Sequence, residues 1–412
     1  MKKVLGVCIT IVAVFALLSV SIAAIPVYES EANFSLGLSE LDPITEQLID
    51  NDVTSTLESD QTLAVDNQAA KVEEAPIISS ASSNNTVAMG TVETKSLNGA
   101  TIKQITNGDA ITIVGFEGDP TEINIPSMPA GQPQYTTVAE GAFRNCTSLT
   151  SIVLGSTITR IEYAAFYGCT NLEAVSIESS VTYIGGYAFV GTKWLSAERG
   201  KDTQKLVSLN NILIDGIAAK DDVVIPSTIT ELSPYAFSYN TAMTSLTMTS
   251  ITKIPFRALA NCKSLETVSI AGVKEIEFAA FTNSKKLTTV ADGTSLEYIK
   301  AMAFDKCYAL TTIELPETNF KSIGKNAFMD CTSLQEITFP SSMTDIEDAA
   351  FLQCTALKRI IFNEPASQKT VVIGQGAFMD CTHLDTVTFE PTKTALDIKT
   401  GAFKNTKTTY AD

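Results

Sequence analysis

The sequence predicts a solenoid with a parallel β-sheet along one face, and three observations carry that prediction. The stretch Ala327 to Phe362 states one pattern, A-F-x-x-C-x-x-L-x-x-I-x-[IF], and repeats it at once. Ala327, Phe328, Cys331, Leu334, Ile337 and Phe339 are followed by Ala350, Phe351, Cys354, Leu357, Ile360 and Phe362, a period of about 23 residues. The Ala-Phe dipeptide that opens this unit marks further copies at Phe143, Phe166, Phe189, Phe237, Phe281, Phe304, Phe378 and Phe403, with Leu259 in the Phe position of one copy. Finally, the L-x-x-I-x-I segment, as in Leu149, Ile152 and Leu154, alternates like a strand, and one strand per copy makes a parallel sheet. A single copy cannot bury its own apolar face, so the copies must stack around one shared core.

The chain has 412 residues, of which 45% are hydrophobic. An array grows in one dimension, so this length fits one long domain. Lys+Arg 29 against Asp+Glu 46 leaves a net charge of -17, which argues against nucleic acid as a partner because phosphate binding needs a basic stripe.

Residues 1–24 combine Lys2-Lys3, an apolar run from Val4 through Val20, and small residues Ser21, Ala23 and Ala24. This is the pattern of an export signal cleaved near Ala23 or Ala24. The alternative is an uncleaved anchor, since the run is nearly long enough to span a bilayer. No other membrane contact is expected, and the location is secreted or cell surface. Residues 25–95 turn to Ser, Thr, Asn, Asp and Glu, and Met1 to Lys95 holds about 13 acidic and 4 basic residues. Low hydrophobicity and self-repulsion make this a disordered linker.

Residues 96–140 form the expected cap and lead-in. Thr101 to Ile105 and Ala110 to Val114 read as strands joined around Asn107-Gly108-Asp109, a hairpin signal. A hairpin covers the end of a core that has no preceding repeat. Residues 141–412 are the array. Within each copy Pro126, Pro226, Pro316 and Pro340 end strands, Ile-Gly as at Ile184-Gly185 turns the chain back, and A-A-F suits a short helical or 3-10 turn. The long gap from Phe189 to Phe237 contains Trp194 and a candidate hairpin at Leu206 to Ile214 around Asn210-Asn211, so a degenerate repeat with an insertion is expected at about 190–222.

Seven cysteines, Cys146, Cys169, Cys262, Cys307, Cys331, Cys354 and Cys381, share one slot, three residues after the Phe or its Leu259 substitute. Thr192, Asn240, Ser284 and Thr406 hold that slot in other copies, so it asks for a small inward side chain near backbone amides. Neighbouring strands about 4.8 Å apart do not exclude disulfides by distance. The odd number and the substitutions favour free buried thiols. A nucleophile is not installed so many times over. The only histidine, His383, replaces the Ser of C-T-S-L. Glu73-Glu74 and Asp221-Asp222 read as solvated charges, and no phosphate loop or calcium loop is present. No catalytic residue, metal site or cofactor is expected. A carbohydrate-active enzyme is the weak alternative, requiring converging carboxylates in the insertion from Lys193 to Asp222.

From about Thr101 to Phe403 the chain resembles the BspA-type, or treponemal, subclass of bacterial leucine-rich repeats. Unlike the common leucine-rich repeat, Cys331 precedes Leu334 by three residues, as in that subclass. The hairpin entry and Gly191-Thr192-Lys193-Trp194 are similar too. The resemblance implies a horseshoe-like leucine-rich repeat solenoid with an N-terminal hairpin cap. It also implies a secreted or cell-surface interaction protein, with members described as adhesins for host matrix proteins and epithelial cells.

Residues alternating with the buried Leu and Ile line the exposed, concave sheet face. One row runs through Thr267, Thr289, Thr312, Glu336 and Arg359, the other through Thr247, Glu314, Thr338, Ile361 and Thr388. This hydroxyl-rich face is the expected site for a host extracellular matrix or cell-surface protein or glycan. Threonine also favours strands without any ligand, so a spacer protein with no specific partner is the alternative.

Overall fold

The computed structural model describes residues 91–363, 368–389 and 394–410. The export signal, and the linker up to residue 90, lie outside the described residues. The first elements are three antiparallel strands, β1 (Val92–Leu97), β2 (Ala100–Asn107) and β3 (Ala110–Glu117). The β2-β3 hairpin is the one expected around Asn107-Gly108. β1 was not expected, because V-E-T-K-S-L reads as linker by composition. Its turn has positive φ at both central residues, 49° at Asn98 and 91° at Gly99, the requirement of a type I′ hairpin. Ala100, Ile102, Ile111 and Ile113 face the core, and the Tyr135 hydroxyl donates to the buried Gln104 Oε1 at 2.9 Å. β3 then pairs in parallel with Gln134–Val138, joining the cap to the array.

Each regular repeat contributes two strands, where the sequence suggested one. The longer strand is the L-x-x-I-x-I segment. These strands form three parallel blocks: Glu122–Ile125, Ser151–Leu154 and Ala174–Ile177; then Lys220–Val224, Ala242–Met248, Thr267–Ile270, Thr289–Ala291 and Thr312–Ile313; then Glu336–Phe339, Arg359–Phe362 and Thr386–Phe389. The second strand is short, as in Arg160–Ile161, Lys253–Ile254, Glu275–Ile276 and Ser322–Ile323, and pairs in parallel with those of neighbouring repeats, the first of them extending the cap sheet and the later ones forming a sheet of seven. The isoleucine of Ile-Gly is thus a buried strand residue. The glycine after it allows close approach: a Cβ on Gly185 would lie 2.4 Å from the Tyr163 nitrogen.

Between the short strand and the next long one, the chain folds around the repeated phenylalanine as paired turns. The N–H groups of Gly141, Phe143 and Asn145 donate to the carbonyls of Tyr163, Ala165 and Tyr167 in the next repeat at 3.0, 2.8 and 2.7 Å. Those of Ala142, Arg144 and Cys146 close turns on residues three back, at 3.1, 2.9 and 3.1 Å. The residues two before and two after the phenylalanine take positive φ, as at Gly141 and Asn145, Met302 and Lys306, or Ala349 and Gln353. Left-handed residues at this spacing forbid a continuing helix, so isolated turns replace the expected helical segment. Inside, the phenylalanine rings stack almost parallel. Phe143 and Phe166 have centroids 5.2 Å apart, Phe328 and Phe351 4.9 Å, and Phe351 and Phe378 5.1 Å. All five rings are fully buried.

The degenerate repeat supplies the one α-helix among the described residues, α1 (Lys193–Arg199). Thr192 caps it, its hydroxyl accepting the Leu195 N–H at 3.1 Å. Trp194 packs on Phe189 with centroids 5.0 Å apart. The expected hairpin follows as Val207–Leu209 and Ile212–Asp215, with Asn210 at φ 55°. Gly216 stands where other repeats carry phenylalanine: its N–H donates to the Ala236 carbonyl at 2.7 Å, as Phe143 does to Ala165. A Cβ there would lie 2.2 Å from the ring of Phe237, which occupies the missing side chain's space. The buried core accordingly forms two clusters, one ending at Ile212 and one running from Leu206 to Phe403.

Candidate functional site

The long strands place the predicted residues by register. Thr267, Thr289 and Thr312 are direct neighbours on successive strands, with Ser245 before them. Thr247 aligns with Ser269 and Ala291. In the last block Glu336 aligns with Arg359 and Thr386, and Thr338 with Ile361 and Thr388. Glu314 lies just beyond the Thr312–Ile313 strand, and its Oε2 accepts the Asp292 N–H at 3.2 Å. Thr267, Thr312, Glu314, Glu336, Thr338, Arg359 and Thr388 are exposed, whereas Thr247, Thr289 and Ile361 are half-buried.

The rows are not continuous, contrary to the simple alternation of the sequence. The ladder stops after Thr312–Ile313 and resumes at Glu336–Phe339. Pro316 has no N–H to offer there, and Glu317 bridges the break instead. It accepts the Ser341 N–H at 3.1 Å and Asn363 Nδ2–H at 2.7 Å. Burial alone would raise the Glu317 carboxyl, but these hydrogen bonds outweigh it and hold the group below its ordinary range. A second interruption lies between Ala174–Ile177 and Lys220–Val224, where the insertion begins.

Only one pair of opposite charges sits within the Thr row. Arg359 Nε donates to Glu336 Oε2 at 2.7 Å, so the two charges in the Thr row neutralise each other. Sequence reasoning missed the carboxylates that tie down the serines: Ser245 Oγ donates to Asp222 at 2.6 Å and Ser269 Oγ to Asp292 at 2.5 Å. It also missed the first strand of the face, Glu122–Ile125, although its x-I-x-I alternation is legible. Two large apolar side chains stand on the same face, Val153 at 42% exposure and Val224 at 52%. The denser ion pairing lies on the short-strand sheet, where Lys253 meets Glu275 and Glu277, Lys300 meets Glu275, and Lys321 meets Glu297.

The cysteine column is buried along its length. All seven described cysteines are free and buried. The neighbours of the slot are carbonyls and not the amides expected: Cys169 Sγ donates to the Phe143 carbonyl at 3.0 Å, and Cys262, Cys307, Cys331, Cys354 and Cys381 repeat the bond at 3.1–3.2 Å. The same carbonyl of Phe143 accepts the Cys146 N–H, so both lone pairs are used. Ser284 Oγ makes the equivalent bond to Leu259 at 2.7 Å, and Asn240 Nδ2 to Gly216 at 3.0 Å, which explains why these residues share the slot. Burial pushes the Cys169 and Cys262 thiols up to about 12, far from a reactive thiolate at neutral pH. His383 is exposed, with Nδ1 2.6 Å from the Thr355 carbonyl. Among the described residues no group of His, Cys, Asp or Glu side chains converges as a metal site.

One buried ionisable group departs from this pattern. Asp305 is 2% exposed; its Oδ2 accepts from Thr282 Oγ1 at 3.1 Å, while Oδ1 has no hydrogen-bond partner. Burial raises its carboxyl above the ordinary value, opposed by Lys306 and Thr282. The folded state therefore holds its proton more tightly than the unfolded chain. Asp305 then destabilises the fold at pH values above its folded pKa, and this cost disappears as pH falls through that value toward the ordinary carboxyl range. Asp305→Asn is expected to melt higher than the parent at pH 7 and to lose that advantage as the buffer is acidified, as followed by circular dichroism.

The family model described as BspA type leucine rich repeat region matches residues 120–201, 208–319 and 297–412, in six copies. A comparison with curated proteins returns no match. Among solved structures, a leucine-rich repeat protein from Bacteroides ovatus is 22% identical over 79% of this chain and 81% of its own, with a TM-score of 0.40. One from Eubacterium ventriosum is 20% identical over 78% and 97%, with a TM-score of 0.41. A leucine rich cell surface protein from Faecalibacterium prausnitzii is 19% identical over 73% and 96%, with a TM-score of 0.30. No helix among the described residues is long and apolar enough to cross a membrane.

Proposed function

Because this chain belongs to the family of BspA-type leucine-rich repeat proteins, we propose that it is an extracytoplasmic interaction protein. In this reading it is a secreted or cell-surface adhesin that holds a host matrix protein, cell-surface protein or glycan on the exposed face of its long-strand sheet. The observation that supports this most is the uncharged hydroxyl row in register, from Ser245 through Thr267 and Thr289 to Thr312. A repeat array presents such a row to an extended partner, and affinity accumulates from many modest contacts. Export by residues 1–24 places the surface where such partners are found. Catalysis has no part in this reading.

The test is a binding screen of the full chain against matrix proteins and glycans, repeated with two variants. One carries Lys at Thr267, Thr289 and Thr312; the other reverses the pair as Glu336→Arg with Arg359→Glu. Three lysines on this face disturb both shape and charge, so the first variant is expected to lose about tenfold or more in affinity for the ligand found. If both variants fold and bind like the parent, the face is not the site. If the parent binds nothing in the screen, the spacer reading replaces the adhesin.

A further inference from the structure

β1 is an edge strand whose outer side no described residue pairs. It bonds to β2 alone, and its first five residues are exposed, Val92 at 53%. Its geometry is fixed nonetheless, by the type I′ turn at Asn98-Gly99 and by Asn98 Nδ2 donating to the Asn124 carbonyl at 3.2 Å. A rigid, unpaired edge is a template for another strand. Lysine on an edge normally discourages that, but here Lys95 has a complement two residues away in Glu93. They lie opposite Gln104 and Ile102 of β2, both are exposed, and neither makes an ion pair with described residues.

We infer that β1 docks a second copy of this chain, edge to edge and antiparallel, about a two-fold axis at Thr94. In that register Glu93 lies opposite the partner's Lys95 and Lys95 opposite the partner's Glu93, so the contact is self-complementary, as two-fold symmetry requires. The competing registers fail on charge. A parallel in-register pair sets Glu93 on the partner's Glu93, and a slip of two residues in the antiparallel pair brings either the two Lys95 or the two Glu93 side chains together. The complex joins the two caps into one antiparallel sheet and leaves both hydroxyl faces free. One strand pair is small beside a standard interface, so the association is reversible and concentration-dependent.

Sedimentation velocity of the full chain across a concentration series tests this. The parent is expected to shift from monomer to dimer. Glu93→Lys places like charges opposite each other, as does Lys95→Glu, and each alone is expected to need about tenfold more protein to dimerise. An equimolar mixture of the two single variants restores complementarity on both sides of the axis and is expected to associate at least as well as the parent; misfolding would not be rescued by mixing. The double variant, Glu93→Lys with Lys95→Glu, is expected to dimerise like the parent. A parent that stays monomeric, single variants that associate unchanged, or a mixture that fails to associate would each overturn the inference.

Discussion

Phe351→Ala is expected to destabilise the array by about 3–5 kcal/mol, the range for truncating a fully buried aromatic side chain. The ring lies between Phe328 and Phe378, with centroids 4.9 and 5.1 Å away, and meets the edge of Phe339 at 5.8 Å. Its removal therefore damages the interfaces on both sides of one repeat. In a solenoid, stability is close to a sum of repeat terms and nearest-neighbour interface terms, so damage to adjacent interfaces weakens coupling between the halves they joined. Urea denaturation of the variant is expected to show a lower midpoint and a broadened or split transition, the repeats beyond Phe351 melting first. Phe278→Ala is the control, because that ring is half-buried and stacks outside the core on Phe256 at 5.6 Å. It is expected to cost markedly less. Equal losses for the two variants would mean that the internal stack is not what couples the repeats.

What could be read from the sequence divides along physical lines. The repeat, the long strands and the two exposed rows were legible because each rests on a period that several copies restate, and Thr267, Thr289 and Thr312 fall in the predicted row. The short second strand was not, since Arg160–Ile161 or Glu275–Ile276 is too brief to carry a period. Nor were the left-handed positions around each phenylalanine. Glycine would have signalled them, but Tyr235, Met302 and Lys306 occupy several, held there by hydrogen bonds to the next repeat. The hairpin at Gly108 was found through its apolar flanks, whereas the equally well-formed turn at Asn98-Gly99 was passed over because β1 is polar on both faces. The break after Thr312 depends on Glu317 reaching Ser341 and Asn363, contacts between residues far apart in the chain. The cysteine slot was read correctly as small and buried; its reason, a carbonyl needing a second donor, became apparent only from the stacked backbone.

The second large effect is expected inside the insertion, where Arg199 at the end of α1 and Asp215 at the end of the hairpin form a buried two-point ion pair. Arg199 Nε donates to Asp215 Oδ2 at 2.8 Å and Nη2 to Oδ1 at 2.9 Å, with side chains 9% and 8% exposed. Taking such charges from water is costly, and the attraction between them mainly offsets that cost. The pair as a whole is thus worth little, while either partner left behind is strongly destabilising. Asp215→Ala is expected to cost about 3–5 kcal/mol, because it leaves the guanidinium buried without its carboxylate. Replacing both residues by apolar ones, Arg199→Met with Asp215→Leu, is expected to recover most of that loss. A double-mutant cycle by urea denaturation gives the coupling directly. Since the pair fastens α1 to the strand that precedes Gly216, proteolysis should report the same event locally, with Asp215→Ala cleaved early between residues 199 and 211 and the double variant resistant. If Asp215→Ala proves mild and the insertion stays protected, water or other groups satisfy Arg199, and the ion pair is not what holds the degenerate repeat in the array.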